Sequence, residues 1–160
     1  MILVLLGTFN IEFQRPLKAI EHFVANNPIE EEIIVQSGYT NFHSKYFTII
    51  PFMAPAVLDD LYNKASLIIT HAGTGSILQG VKKGKKVIAI ARLKKYKEHI
   101  DDHQLEILKE FVGCNYILSW DQIDSFETVL KKSKTFIPTP YNSDKKNLVN
   151  FLINYIEDIK

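Results

Sequence analysis

The stretch from Ala65 to Ser76, reading Ala-Ser-Leu-Ile-Ile-Thr-His-Ala-Gly-Thr-Gly-Ser, narrows the possible folds more than any other part of the chain. Leu67 to Thr70 is a short, almost wholly apolar run, the pattern of a strand covered on both faces. Gly73 and Gly75 then alternate with Thr74 and Ser76, and Gly75 to Lys83 reads as a helix stopped by Gly84. A strand, a glycine turn and a helix form one βα unit. Backbone N–H groups at such a helix start are unpaired, and with the helix dipole they favour an anion such as phosphate. An ordinary strand–helix turn needs small residues too, and the turn alone does not separate the two readings.

The rest of the chain repeats the alternation. Strands are expected at Ile2 to Leu6, Glu32 to Gln36, Phe47 to Ile50, Val87 to Ile90 and Tyr116 to Leu118. Helices are expected at Phe13 to Ala25, Pro55 to Lys64, Asp101 to Phe111 (with Gly113 past its end), Asp121 to Lys132 and Asn147 to Ile159. Pro16 suits a first helical turn, and Asn26-Asn27-Pro28 ends that helix. Alternation of this kind gives an α/β fold, a Rossmann-like parallel sheet with helices on both faces. Ligands bind such sheets beyond the carboxyl ends of the strands. Gly7-Thr8, Ser37-Gly38, His71 to Ser76 and the Arg92 to Gln104 loop would all gather there.

Length fits one domain over residues 1–160 with a sizeable core. The formal charge is +1, which argues against a general polyanion binder, and no nucleic-acid partner is expected. Lys82, Lys83, Lys85, Lys86, Arg92, Lys94, Lys95 and Lys97 nevertheless crowd one stretch. They form either a solvated face or an attraction for an anionic membrane or a diphosphate lipid. Cys114 is the single cysteine, which excludes an internal disulfide and fits a reducing cytoplasm. Met1 to Leu6 lacks a basic leader and reads as a core strand, not a signal peptide. No apolar run is long enough to span a bilayer.

Several residues have the chemistry of a site. Gly7-Thr8 is a second turn able to face phosphate, or a simple βα loop. Phe52 can cover a planar base whose edge bonds the backbone of Pro51-Phe52-Met53, or it can be a core aromatic. His71 stands beside the glycine turn, where a structural and a catalytic role are both open. In Asp101-Asp102-His103-Gln104, capping explains one acid, whereas a glutamine donor–acceptor suits sugar hydroxyls. His71, His99, Asp102 and His103 could in principle bind zinc, but their spacing is poor, and neither a metal nor a cofactor is expected. His22 and His43 read as surface residues, and Trp120 as core or rim.

Taken in order, Thr70 to Leu78, Gly84-Lys85-Lys86-Val87-Ile88 and Asp102-His103-Gln104 resemble the donor-binding half of GT-B glycosyltransferases. The likeness is strongest to PssE-type subunits of bacterial capsule and exopolysaccharide synthesis, through Val4 to Thr8, Arg92 to Tyr96 and Glu98-His99. The chain is also similar to the soluble catalytic subunit of the two-part UDP-GlcNAc transferase of dolichol-oligosaccharide synthesis. The peptidoglycan transferase that forms lipid II is a more distant relative.

The resemblance implies a UDP-sugar transferase that inverts configuration and moves a hexose or N-acetylhexosamine to a lipid-diphosphate-linked acceptor. It places Gly7 and Thr8 at the diphosphate and Phe52 and Met53 at the uracil. It places His71, Gly73, Thr74, Gly75 and Ser76 along the diphosphate and ribose, and Asp102, His103 and Gln104 at the donor sugar. His71, Asp102 and His103 are the catalytic candidates. Gln79 falls where relatives often hold the ribose with an acid. One GT-B half needs another, so a membrane-anchored partner supplying the acceptor side is implied, with this chain peripheral to the inner face of the cytoplasmic membrane. The alternative is a non-catalytic nucleotide-sugar-binding subunit that activates such a partner. Leu148, Phe151, Leu152, Tyr155, Ile156 and Ile159 form an apolar stripe that packs on the sheet or docks that partner.

Overall fold

The computed structural model describes residues 1–121 and 123–143. The helix expected over Asn147 to Ile159, with its apolar stripe, lies outside the described residues. Six strands form one sheet: β1 (Ile2–Leu5), β2 (Ile33–Gln36), β3 (Thr48–Ile50), β4 (Leu67–His71), β5 (Lys86–Ile90) and β6 (Leu118–Ser119). The helices are α1 (Gln14–Asn26), α2 (Pro55–Lys64), α3 (Thr74–Lys82), α4 (Gln104–Gly113) and α5 (Phe126–Thr135). Every strand pair is parallel, in the order β3-β2-β1-β4-β5-β6. The fold is the Rossmann-like α/β class that the alternation implied. Strand order reverses between β1 and β4, and a crevice opens beyond the strand ends at such a point.

Register sorts the apolar residues into two layers. Val35, Val4, Ile69 and Ile88 lie in one row across the sheet and join Leu17, Ile20 and Val24 of α1 and Phe126 and Val129 of α5. Ile34, Leu3, Ile68 and Val87 form the opposite row. They pack against Tyr62 of α2, Ile77 and Val81 of α3 and Leu108 of α4. Each such aliphatic side chain contributes about 1.5–3 kcal/mol on full burial. Gly80 lets α3 lie close on the sheet, since a Cβ there would sit 2.7 Å from Val87 Cγ2.

Boundaries differ from expectation where side chains intervene. α4 begins at Gln104, not Asp101, because Asp101 and Asp102 bond the backbone of His103 and Lys94. Gly113 belongs to α4, and Asn115 takes the left-handed turn beyond it (φ 56°). β6 lies at Leu118–Ser119, later than expected. α5 starts at Phe126 because Ser125 caps it, accepting from the Thr128 N–H at 3.1 Å. The basic run is partly structural. Lys85 Nζ donates to the carbonyls of Asn63 and Ala65, and Lys86 Nζ to those of Ser133 and Lys134, beside the ends of α2 and α5. His22 and His43 are exposed and Trp120 is buried.

Candidate functional site

The turn after β1 and the turn after β4 meet at the switch point. Gly7 takes φ +79° and Gly38 φ +58°, backbone that favours glycine. A Cβ on Gly38 would lie 2.1 Å from the Gly7 carbonyl oxygen, so the turns after β2 and β1 touch. Gly73 has ordinary extended backbone (φ −84°, ψ 127°). Its need for glycine is spatial: a Cβ would lie 2.3 Å from His71 Nε2.

α3 has no side-chain cap. The Ile77 N–H closes its first turn by donating to the Gly73 carbonyl at 3.2 Å. The N–H groups of Thr74, Gly75 and Ser76 therefore have no partner within the helix. They sit at the positive end of its dipole, the arrangement that holds phosphate.

His71 covers the floor. Its Nδ1 lies 3.4 Å from both the Leu5 carbonyl and Thr70 Oγ1. Burial, with a smaller push from the charge of Arg92, lowers its pKa to about 4 against the pull of the Leu5 bond. The ring is thus neutral at pH 7. A proton on Nδ1, donated to Leu5, leaves Nε2 as an acceptor.

Gly7, Thr8, Gln36, Phe52, Met53, Leu58, His71, Gly73, Gly75 and Ser76 enclose a pocket of about 300 Å³. Eight of these ten belong to the set named from sequence. Gln36 and Leu58 were missed. Gln36 Nε2 donates to the carbonyls of Gly7 (3.3 Å) and Pro51 (3.1 Å), tying two walls together. Its signal was a polar residue closing the apolar strand Ile33-Ile34-Val35. Phe52 is 53% exposed and meets Tyr39 edge to face, with ring centroids 5.3 Å apart. A larger cleft of about 750 Å³ lies along Thr40 to Phe47, but no glycine-rich helix start faces it.

Five other named residues stand outside the pocket wall. Thr74 is exposed at the start of α3. Gln79 donates to Asp59 Oδ1 at 3.4 Å, and Lys83 Nζ lies 2.9 Å from the same carboxylate, whose pKa it lowers. Asp102 Oδ1 accepts from the Lys94 N–H at 2.8 Å, and His103 Nδ1 bonds Asp101. Gln104 is buried, its Oε1 accepting from the Arg92 N–H at 2.9 Å. Among the described residues, His99, Asp101 and His103 bring ligand-type atoms within 4.8 Å of one another, a different set from the one weighed for zinc. Asp101 bonds both rings, which accounts for the cluster without a metal.

A parallel sheet in this order, with glycine turns and an open helix start at its switch point, defines a Rossmann-like α/β domain with a pocket at that point. The chain belongs to the glycosyltransferase family 28 C-terminal domain family, whose profile matches residues 1–159. A UDP-N-acetylglucosamine transferase subunit ALG13 from Candida albicans is 30% identical over 119 residues, 73% of this chain and 37% of that protein. Its namesake from Yarrowia lipolytica is 28% identical over 107 residues, 61% of this chain and 53% of that protein. The chain thus spans about half or less of these curated relatives. The solution structure of ALG13 matches with a TM-score of 0.59 at 18% identity over 91% of each chain. MurG of Acinetobacter baumannii matches at 0.55 and 19% identity, over 82% of this chain and 40% of MurG. At these identities the likeness to solved structures is one of fold. No helix among the described residues is long and apolar enough to cross a membrane.

Proposed function

We propose that residues 1–160 form the UDP-sugar-binding domain of a two-component inverting glycosyltransferase. It moves a hexose or N-acetylhexosamine to a lipid-diphosphate-linked acceptor. The setting that the sequence resemblance favours is capsular or exopolysaccharide synthesis, with the chain held at the inner face of the membrane by an anchored partner. One observation carries the reading: the Gly7-Thr8 turn and the uncapped start of α3 converge on one pocket at the switch point.

In this reading the diphosphate accepts the N–H groups at the start of α3. Thr8 and Ser76 flank it, and the base lies against Phe52 and Met53. Donors already in place stabilise the charge that develops on departing UDP. Of the catalytic candidates, His71 alone lines the pocket, and its neutral imidazole can accept a proton or a hydroxyl hydrogen bond. Asp102, His103 and Gln104 stand outside the pocket wall, and their assignment to the donor sugar rests on the sequence resemblance. A general base must take the acceptor proton.

Gln79 favours a second reading, a nucleotide-sugar-binding subunit that activates its partner, because it replaces a ribose-holding acid with an uncharged amide. Calorimetry with UDP, UDP-glucose, UDP-galactose and UDP-GlcNAc tests binding. Transfer assays with each subunit alone and together separate the two readings. Failure of UDP to bind or to raise the melting temperature overturns both.

A further inference from the structure

We propose that Arg92 is a positioning residue for the diphosphate: its buried guanidinium clamps both ends of the turn after β1 and sets a positive charge behind the pocket. This rests on the UDP reading above. Arg92 follows β5 and is 1% exposed. Its Nη2 donates to the Leu6 carbonyl at 2.9 Å, and its Nη1 to those of Ile11 (2.7 Å) and Glu98 (3.1 Å). Leu6 and Ile11 bracket the turn that carries Gly7 and Thr8, so one side chain holds that turn at entry and exit. The guanidinium carbon lies 4.7 Å from the Phe13 ring centroid and 5.8 Å from that of Phe9.

The charge is poorly compensated. Nε has no hydrogen-bond partner. No carboxylate among the described residues forms an ion pair with Arg92. The nearby Glu98 carboxylate binds Arg15 Nη2 (2.7 Å) and Nε (3.0 Å) and the Leu93 N–H (3.2 Å). Glu98 therefore acts on Arg92 only at longer range. A buried cation without a bound anion is costly. Here the guanidinium bonds the carbonyl of Leu6, the residue before Gly7 where the diphosphate is assigned, and its charge acts on His71 of the pocket, so a bound anion would offset part of that cost.

Uridine and UDP share base and ribose and differ in the charged diphosphate, so the ratio of their affinities reads the charge. Calorimetry on wild type, Arg92→Gln and Arg92→Lys, with folding checked by thermal melting, tests the proposal. Arg92→Gln is expected to weaken UDP about tenfold, the factor that 1.4 kcal/mol represents, and to leave uridine nearly unchanged. Arg92→Lys should keep most of the preference for UDP. Equal loss of both ligands in folded Arg92→Gln would overturn the charge role. If the glutamine variant does not fold, Glu98→Gln decides, since it removes the neighbouring anion without touching Arg92. The preference for UDP should then rise, and an unchanged ratio rejects the proposal. A wild-type protein with no preference for UDP overturns the UDP reading itself, and this inference with it.

Discussion

The turns after β4 and β5 leave neighbouring strands at the same end of the sheet and treat their backbone donors in opposite ways. After β4, the N–H groups of Thr74, Gly75 and Ser76 face outward without a capping side chain. After β5, the chain supplies its own acceptors: Gln104 for the Arg92 N–H, Glu98 for Leu93, Asp102 for Lys94 and Asp101 for His103. Both turns are polar and both look functional in sequence. Donors left open make a site for an anion, whereas donors already paired make a scaffold.

The sharpest way to break this contrast is Gly73→Val. The added side chain collides with His71 and enters the pocket. UDP binding should be lost while the melt stays cooperative, and unchanged binding in a folded variant would disprove the phosphate assignment. The next largest effect is on acid stability. The folded pKa of His71 is about 4, below its ordinary 6.5. The unfolded chain therefore takes the proton first, and stability falls as pH drops from about 6.5 to about 4, then levels off. The loss is of order 3 kcal/mol at most. Urea melts of wild type and His71→Gln at pH 7 and 4.5 should show the wild type losing more. Gln104→Ala tests the other side of the contrast. It leaves the Arg92 N–H without its acceptor and should cost about 1–3 kcal/mol of stability. If Gln104 also meets the sugar, UDP-sugar binding falls further than UDP binding; equal effects mark it as scaffold. The smallest effect is expected for Asp102→Asn. Its carboxylate serves an exposed N–H, so UDP affinity should hardly change, and a marked loss would show that the β5 turn belongs to the nucleotide site.

Strands β1, β4 and β5 were plain in the sequence because burial on both faces leaves no room for polar residues. The glycine turn was plain because few other residues allow close approach. Where side chains bond the local backbone, the signal failed: periodicity begins α4 at Asp101, but Asp101 and Asp102 serve loop donors and delay it to Gln104. Asn115 took the turn expected from Gly113 because asparagine tolerates left-handed backbone. In the site, the small residues of the two turns were legible, whereas Leu58, one apolar helix residue among many, was not. Nor was Gln36, since nothing in a strand-ending glutamine announces which two carbonyls it will join. Gln104 shows how an amide is ambiguous in sequence: one suited to hydroxyls is equally suited to a peptide N–H, such as that of Arg92.

The bridge that Gln36 makes between Gly7 and Pro51 has a kinetic side. One amide joins the wall assigned to the diphosphate to the wall assigned to the base. The two cannot drift apart without breaking it, so a nucleotide meets walls already set at their bound spacing. Little ordering entropy remains for the ligand to overcome on arrival. Affinity changes among variants of this pocket should therefore appear in how long UDP stays, not in how fast it enters.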